Sequence, residues 1–176
     1  MMSLPRFRPG AGVAATSAVV ALALFAPPAA AEVSVGDRAT EFRQVQDGDG
    51  DAVSLREQRG DVVVVTFGAS WCAPCEAELP ALESLASHYA ERDADVAFFA
   101  VNVDRELAKG RAFMNGFDFE HVEPVFDPRS ATARLYAPPA MPSTYIIDQR
   151  GLVRVVHQGY ERGDERRIRR AVDSLL

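Results

Sequence analysis

An α/β domain built on a mixed sheet is the fold class this sequence predicts, and two observations carry it. Strand-like and helix-like stretches alternate from Val62 to Tyr136, the pattern of strands joined by helices in one sheet. Two further strands then follow with only a short turn between them, ahead of a last amphipathic segment. A hairpin added to alternating units makes the sheet mixed rather than purely parallel.

The elements follow in order. Gly36 to Leu55 reads as a strand-and-turn preamble: Phe42 and Val45 alternate with polar residues, Asp47-Gly48-Asp49-Gly50-Asp51 turns, and Val53 and Leu55 resume the alternation. That acidic turn also invites a calcium-loop reading. Counted from Asp47, however, the required glycine is replaced by Ala52 and the required bidentate glutamate by Gln58, so a hairpin turn is the better account. Val62-Val63-Val64-Val65-Thr66-Phe67 is a β-branched run of the kind found in buried strands. The helix after it carries Leu79, Leu82 and Leu85 at helical spacing and runs to about Arg92. Val96 to Val103 is a second buried strand, Glu106 to Gly116 a helix, Val122 to Phe126 a short strand and Ser130 to Tyr136 a short helix. After the rigid loop Ala137-Pro138-Pro139-Ala140-Met141-Pro142, strands Ser143–Ile147 and Leu152–Gln158 flank the turn Asp148-Gln149-Arg150-Gly151. A helix over Asp164–Leu175, with Ile168, Ala171, Val172 and Leu175 on one face, closes the chain.

The chemistry is concentrated between the first strand and its helix, in Trp71-Cys72-Ala73-Pro74-Cys75, which holds the only two cysteines of the chain. A C-x-x-C pair at such a junction puts the first sulfur at a helix N-terminus. There the dipole and unpaired N–H groups favour a thiolate. The second sulfur lies one turn on, within reach of a disulfide. Dithiol–disulfide exchange is what this arrangement supports. Two cysteines alone cannot complete a tetrahedral zinc site, and His88, His121 and His157 lie in three separate segments. A bond closing so small a loop also removes little entropy from the unfolded chain, so a purely stabilising disulfide is the weaker reading.

The N-terminus bears on the compartment. Arg6 and Arg8 precede the apolar run Gly12–Ala26, Pro27-Pro28 interrupts it, and Ala29-Ala30-Ala31 offers a cleavage site before Glu32. The run is shorter than the roughly 20 residues of a spanning helix. Residues 1–31 are therefore expected to be a secretory signal peptide, with an uncleaved N-terminal anchor as the alternative, and residues 32–176 the folded domain. With no cysteine near residue 31, lipid anchoring there is not expected. Both readings put the domain outside the cytoplasm, in the periplasm or an equivalent space, where disulfides persist. The mature part carries 17 Lys and Arg against 25 Asp and Glu, about −8. That balance argues against nucleic acid or anionic lipid as a partner.

Across roughly residues 34–176 the chain resembles the thioredoxin superfamily, and within it the TlpA/ResA-like periplasmic thiol-disulfide oxidoreductases. The resemblance rests on Phe67-Gly68-Ala69-Ser70-Trp71-Cys72-Ala73-Pro74-Cys75, on Pro80 five residues further on, and on Met141-Pro142-Ser143-Thr144-Tyr145 followed by Ile146-Ile147-Asp148. Asp104–Asp127 resembles the helix-and-strand unit that these proteins insert after the second core strand. The resemblance implies a thioredoxin-like fold and a cis Pro142 beside the cysteines, with neighbouring backbone open to an extended substrate. Trp71, Pro74, Met141 and Pro142 are the expected substrate-binding residues. No cofactor and no metal are expected.

Cys72 is the expected attacking thiolate, first in the motif and more exposed at the helix start, and Cys75 the resolving thiol. Thr66 stands where thioredoxins have a buried aspartate, and a threonine exchanges no protons near neutrality. Glu78 matches a glutamate that ResA-like proteins use near the resolving cysteine. At i+3 it can share the face of Cys75, and either a proton-accepting role or an ordinary solvated carboxylate fits the sequence. For function the resemblance implies a protein-disulfide reductase recharged by a membrane thiol-disulfide transporter. Its clients would be apocytochrome c or a copper-site protein. A disulfide oxidase or isomerase is the runner-up, and a Cu(I) metallochaperone using Cys72, Cys75 and Met141 a third reading. A lone cysteine in a P-x-x-x-T-x-x-C setting, the mark of a peroxidase, is absent.

Overall fold

The strand ahead of the cysteines, β1 (Val62–Gly68), is buried along its whole length, as its β-branched composition demands. The computed structural model describes residues 32–176; the signal-peptide expectation for residues 1–31 lies outside them. After β1 come α1 (Ala73–Ala90), β2 (Val96–Asn102), α2 (Leu107–Met114), β3 (Val122–Phe126), α3 (Ala133–Tyr136), β4 (Ser143–Ile147), β5 (Val153–Gln158) and α4 (Glu165–Asp173). The strands form one five-stranded sheet in the order β3-β2-β1-β4-β5. β1, β2 and β3 run parallel, while β4 pairs antiparallel with both β1 and β5. This is the mixed sheet with the α2–β3 unit inserted after the second core strand. Pro124, which cannot donate to a ladder, is tolerated because β3 is an edge strand.

Alternation along β1 divides the core in two. Val62 and Val64 point toward α1 and α4, where Leu79, Leu82, Leu85, Tyr89, Ile146, Ile168 and Val172 join them. Val63, Val65 and Phe67 point the other way, onto Phe99, Val101, Tyr136, Tyr145 and the preamble residues Phe42, Val45 and Leu55. Each fully buried valine is worth about 1.5–3 kcal/mol, so the strand that delivers the cysteines is anchored on both faces. On α1 the buried stripe is Cys75, Glu78, Leu79, Leu82, Leu85, Ala86 and Tyr89, the spacing of a core-facing helix. Two of the chemically interesting residues thus lie on the face that packs on the sheet.

The preamble keeps the expected turn but not its flanking strands. Asp47 N–H donates to Asp51 O and Val53 N–H to Val45 O around the turn. Yet pairing reduces to single bridges, Arg38 with Leu152, Gln46 with Ala52 and Gln46 with Phe126, and Leu55 opens a 3-10 turn, Leu55–Gln58, instead of a strand. The reason is local: Ser54 caps that turn by accepting from Arg56 N–H, and Glu41 accepts from Leu55 N–H at 2.7 Å. The Asp47 carboxylate accepts from the N–H groups of Asp49, Gly50 and Asp51, which is how an aspartate builds a turn. Helix ends fall up to three residues inside the predicted ones.

Candidate active site

β1 ends at Gly68, and the chain turns through Cys72 N–H donating to Ala69 O at 3.0 Å. Cys72 is the N-cap of α1, with extended backbone and no side-chain cap, and Pro74 occupies the first turn, where its missing N–H costs nothing. Cys72 and Cys75 are joined by a disulfide, with Cα atoms 5.3 Å apart. Both cysteines are buried in the disulfide form, Cys72 at 4% and Cys75 at 2% exposed, so exposure separates them little. What separates them is their packing. A Cβ on Gly68 would lie 3.0 Å from Cys75 Sγ, so Cys75 is pressed against the end of β1 while Cys72 stands outside the helix proper.

The substrate-binding candidates surround this pair unevenly. Trp71 is 68% exposed, a large apolar side chain left in solvent beside Cys72, and Pro74 is exposed as well. The Met141–Pro142 bond is cis, and Pro142 is buried with its carbonyl accepting from Gly159 N–H at 2.8 Å. Met141 is half-buried against the preamble-side core. The two cysteine sulfurs are bonded to each other, so the thiolates that the copper reading needs are absent in the disulfide form.

Glu78 is fully buried, which removes the solvated reading. It falls on the apolar stripe of α1, and its carboxylate descends onto two threonines. Thr66 and Thr144 face each other across β1 and β4. Thr66 Oγ1 donates to Oε2 at 2.7 Å and Thr144 Oγ1 donates to Oε1 at 2.6 Å. Burial pushes Glu78 up to about 7, with the two hydroxyl donors opposing and the nearby Asp164 carboxylate reinforcing the shift.

The threonine pair satisfies Glu78 in either protonation state. As a carboxylate it accepts from both hydroxyls. As an acid it can donate to Thr144, which donates on to Thr66 across 3.2 Å, which donates back to Glu78. No heavy atom has to move, so a proton can be held or surrendered in place. Among the described residues no hydrogen bond joins Glu78 to either sulfur in the disulfide form.

Sequence reasoning treated Thr66 as the loss of a buried base and passed over Thr144. The signal was two hydroxyl residues on the same face of β1 and β4 as Val62, Val64 and Ile146. Sequence reasoning also missed Asp104. This 5% exposed carboxylate accepts from Ser70 N–H at 2.8 Å, Ser70 Oγ at 2.9 Å and Asn102 Nδ2 at 2.8 Å.

Comparison with known proteins agrees with this architecture. The sequence profile of the AhpC/TSA family matches residues 35–156. The thioredoxin-like protein YneN of Bacillus subtilis is 30% identical over 127 residues, covering 72% of this chain and 73% of that protein. The thiol-disulfide oxidoreductase ResA of Oceanobacillus iheyensis is 31% identical over 128 residues, 71% of this chain and 65% of ResA. A Chlorobium tepidum structure described as a DsbE-type thiol:disulfide interchange protein superposes with a TM-score of 0.75 at 28% identity, covering 82% of this chain and 99% of that one. With its mixed five-stranded sheet, the chain belongs to the AhpC/TSA family and has a thioredoxin-like fold.

Proposed function

We propose that this protein is an extracytoplasmic thiol-disulfide oxidoreductase that reduces protein disulfides through Cys72 and Cys75. The observation that carries the reading is the redox pair itself. It is a disulfide at the N-terminus of an 18-residue helix, with a buried proton-holding carboxylate one turn away and an exposed tryptophan beside it. The relatives named for the same chemistry support it, as does the resemblance of the cysteine and cis-proline segments to the TlpA/ResA-like group. Among the described residues no helix is long and apolar enough to cross a membrane, and export rests on the character of residues 1–31.

The reduced protein works in two exchanges. The Cys72 thiolate attacks one sulfur of a client disulfide. The client S–S bond breaks, a Cys72–client bond forms, and one client thiolate leaves. Cys75 then gives its proton to Glu78 and attacks Cys72 Sγ, forming the observed disulfide and releasing the second client thiolate. Two electrons pass to the client, and Glu78 returns its proton to solvent or to the departing thiolate. Trp71, Pro74, Met141 and Pro142 form the surface on which the extended client lies. A membrane thiol-disulfide transporter restores the dithiol. Clients are the haem-attachment cysteines of apocytochrome c or the cysteine ligands of a copper site.

Trapping tests the assignment of roles. Cys75→Ser accumulates mixed disulfides with client proteins, whereas Cys72→Ser abolishes insulin reduction and traps nothing. Trapping by Cys72→Ser alone would reverse the two roles.

A further inference from the structure

The turn that presents Cys72 is tied to a buried anion on the opposite side from Glu78. Asp104 lies just past the end of β2 and receives three hydrogen bonds, two of them from Ser70, two residues before Cys72. All three partners donate, so the carboxylate serves purely as an acceptor, as an ionised aspartate does. Asn102 fixes it from below by donating through Nδ2 and accepting from Asp104 N–H at 3.0 Å. Asn102 is itself wedged against Gly110 of α2, where an added Cβ would collide with its Oδ1.

Among the described residues no salt bridge reaches Asp104. Arg105, Glu106 and Lys109 border the same cleft, of about 510 Å³, whose other walls include Ser70 and Trp71. The Lys109 ammonium is engaged by Glu106 at 2.7 Å. On α1 itself two further carboxyl side chains follow the pair: Glu76, exposed in the first turn, and buried Glu78.

We infer that Asp104 is a positioning residue that both holds the Ser70-Trp71-Cys72 turn and, as an anion without a salt-bridge partner, opposes the Cys72 thiolate, making the pair more strongly reducing. The inference rests on the thiol-disulfide reading above and deepens it. Reducing the disulfide adds two electrons and, where Cys72 is left as the thiolate and Cys75 as the thiol, one proton. Whatever disfavours the thiolate disfavours the dithiol relative to the disulfide, so the reduced pair gives up its electrons more readily. Asp104 thereby offsets the helix N-terminus, which acts in the opposite direction.

Asp104→Asn separates charge from geometry. Its amide oxygen can accept from Ser70 N–H and Asn102 Nδ2, and its amide nitrogen can donate to Ser70 Oγ. Equilibration of the folded variant with glutathione is expected to shift about tenfold toward the dithiol, equal to about 30 mV. The pH midpoint of Cys72 alkylation is expected to fall by about one unit. A folded variant with both quantities unchanged overturns the inference. If the variant does not fold, carboxyl NMR of the reduced wild-type protein decides instead. The Asp104 resonance should inflect where Cys72 ionises, because coupling between two sites is reciprocal, and a featureless trace overturns the inference. A wild-type potential in the isomerase range would contradict the reductant reading, while the Asp104→Asn comparison would still stand or fall by itself.

Discussion

Replacing Glu78 with glutamine should stabilise the protein by an amount that grows as pH rises from about 4.5 to about 7 and then levels off. Glu78 is protonated in the folded state up to about 7, whereas in the unfolded chain it ionises near 4.5. Between those values the native state binds the extra proton, so its contribution to stability falls as pH rises through the window and levels off above it. The gap corresponds to about 3 kcal/mol, carried by a fully buried side chain. Glutamine titrates nothing and can still accept from one threonine while donating to the other. Urea unfolding of the oxidised proteins at pH 5 and pH 8 reads the effect as the difference between wild type and variant. Subtraction cancels the other carboxyls that burial raises, Glu123 and Asp127, which give the whole protein a pH dependence of the same sign. The stability difference between the two should widen in favour of the variant by about 2–3 kcal/mol from pH 5 to pH 8. The same difference at both pH values would mean that Glu78 titrates alike in both states and holds no displaced proton. In the reduced protein, Glu78→Gln should also shift the pH dependence of thiol alkylation, with the fold intact.

Two further substitutions probe the surroundings of the pair. Thr144→Val deletes the 2.6 Å donor to Glu78; its Glu78 should titrate higher still, and stability at pH 8 should fall by about 1–3 kcal/mol, whereas an unchanged unfolding midpoint would remove Thr144 from the network. Gly68→Ala sets a methyl 3.0 Å from Cys75 Sγ. Thermal unfolding of the oxidised form should register a loss of about 1–3 kcal/mol, and an unchanged melt would show that the helix start yields to accommodate it.

Much of the fold was legible because its signals are local. The Val62–Phe67 run, the apolar spacing in α1 and the turn between β4 and β5 each declare their element within a few residues. In the preamble the Asp47–Asp51 turn was legible and the strands around it were not, because the residues after it are held by a serine cap and by Glu41, contacts that periodicity does not encode. At the site, Cys72, Cys75 and Pro142 were readable from motif spacing. Glu78 was readable only as a candidate, since its burial depends on the register that sets Thr66 opposite Thr144. Ser70 and Asp104 are 34 positions apart, and their contact exists only once β1 and β2 are paired.

The reduction potential of the Cys72–Cys75 pair tests the central claim most directly. No basic residue or histidine stands between the cysteines to overstabilise a thiolate, and the buried charge beside their turn is negative. Equilibration with dithiothreitol or glutathione should give a value near or below that of thioredoxin, about −270 mV. A value above about −180 mV, in the range of protein disulfide isomerase, would contradict the reductant account and assign the same framework to disulfide formation or isomerisation.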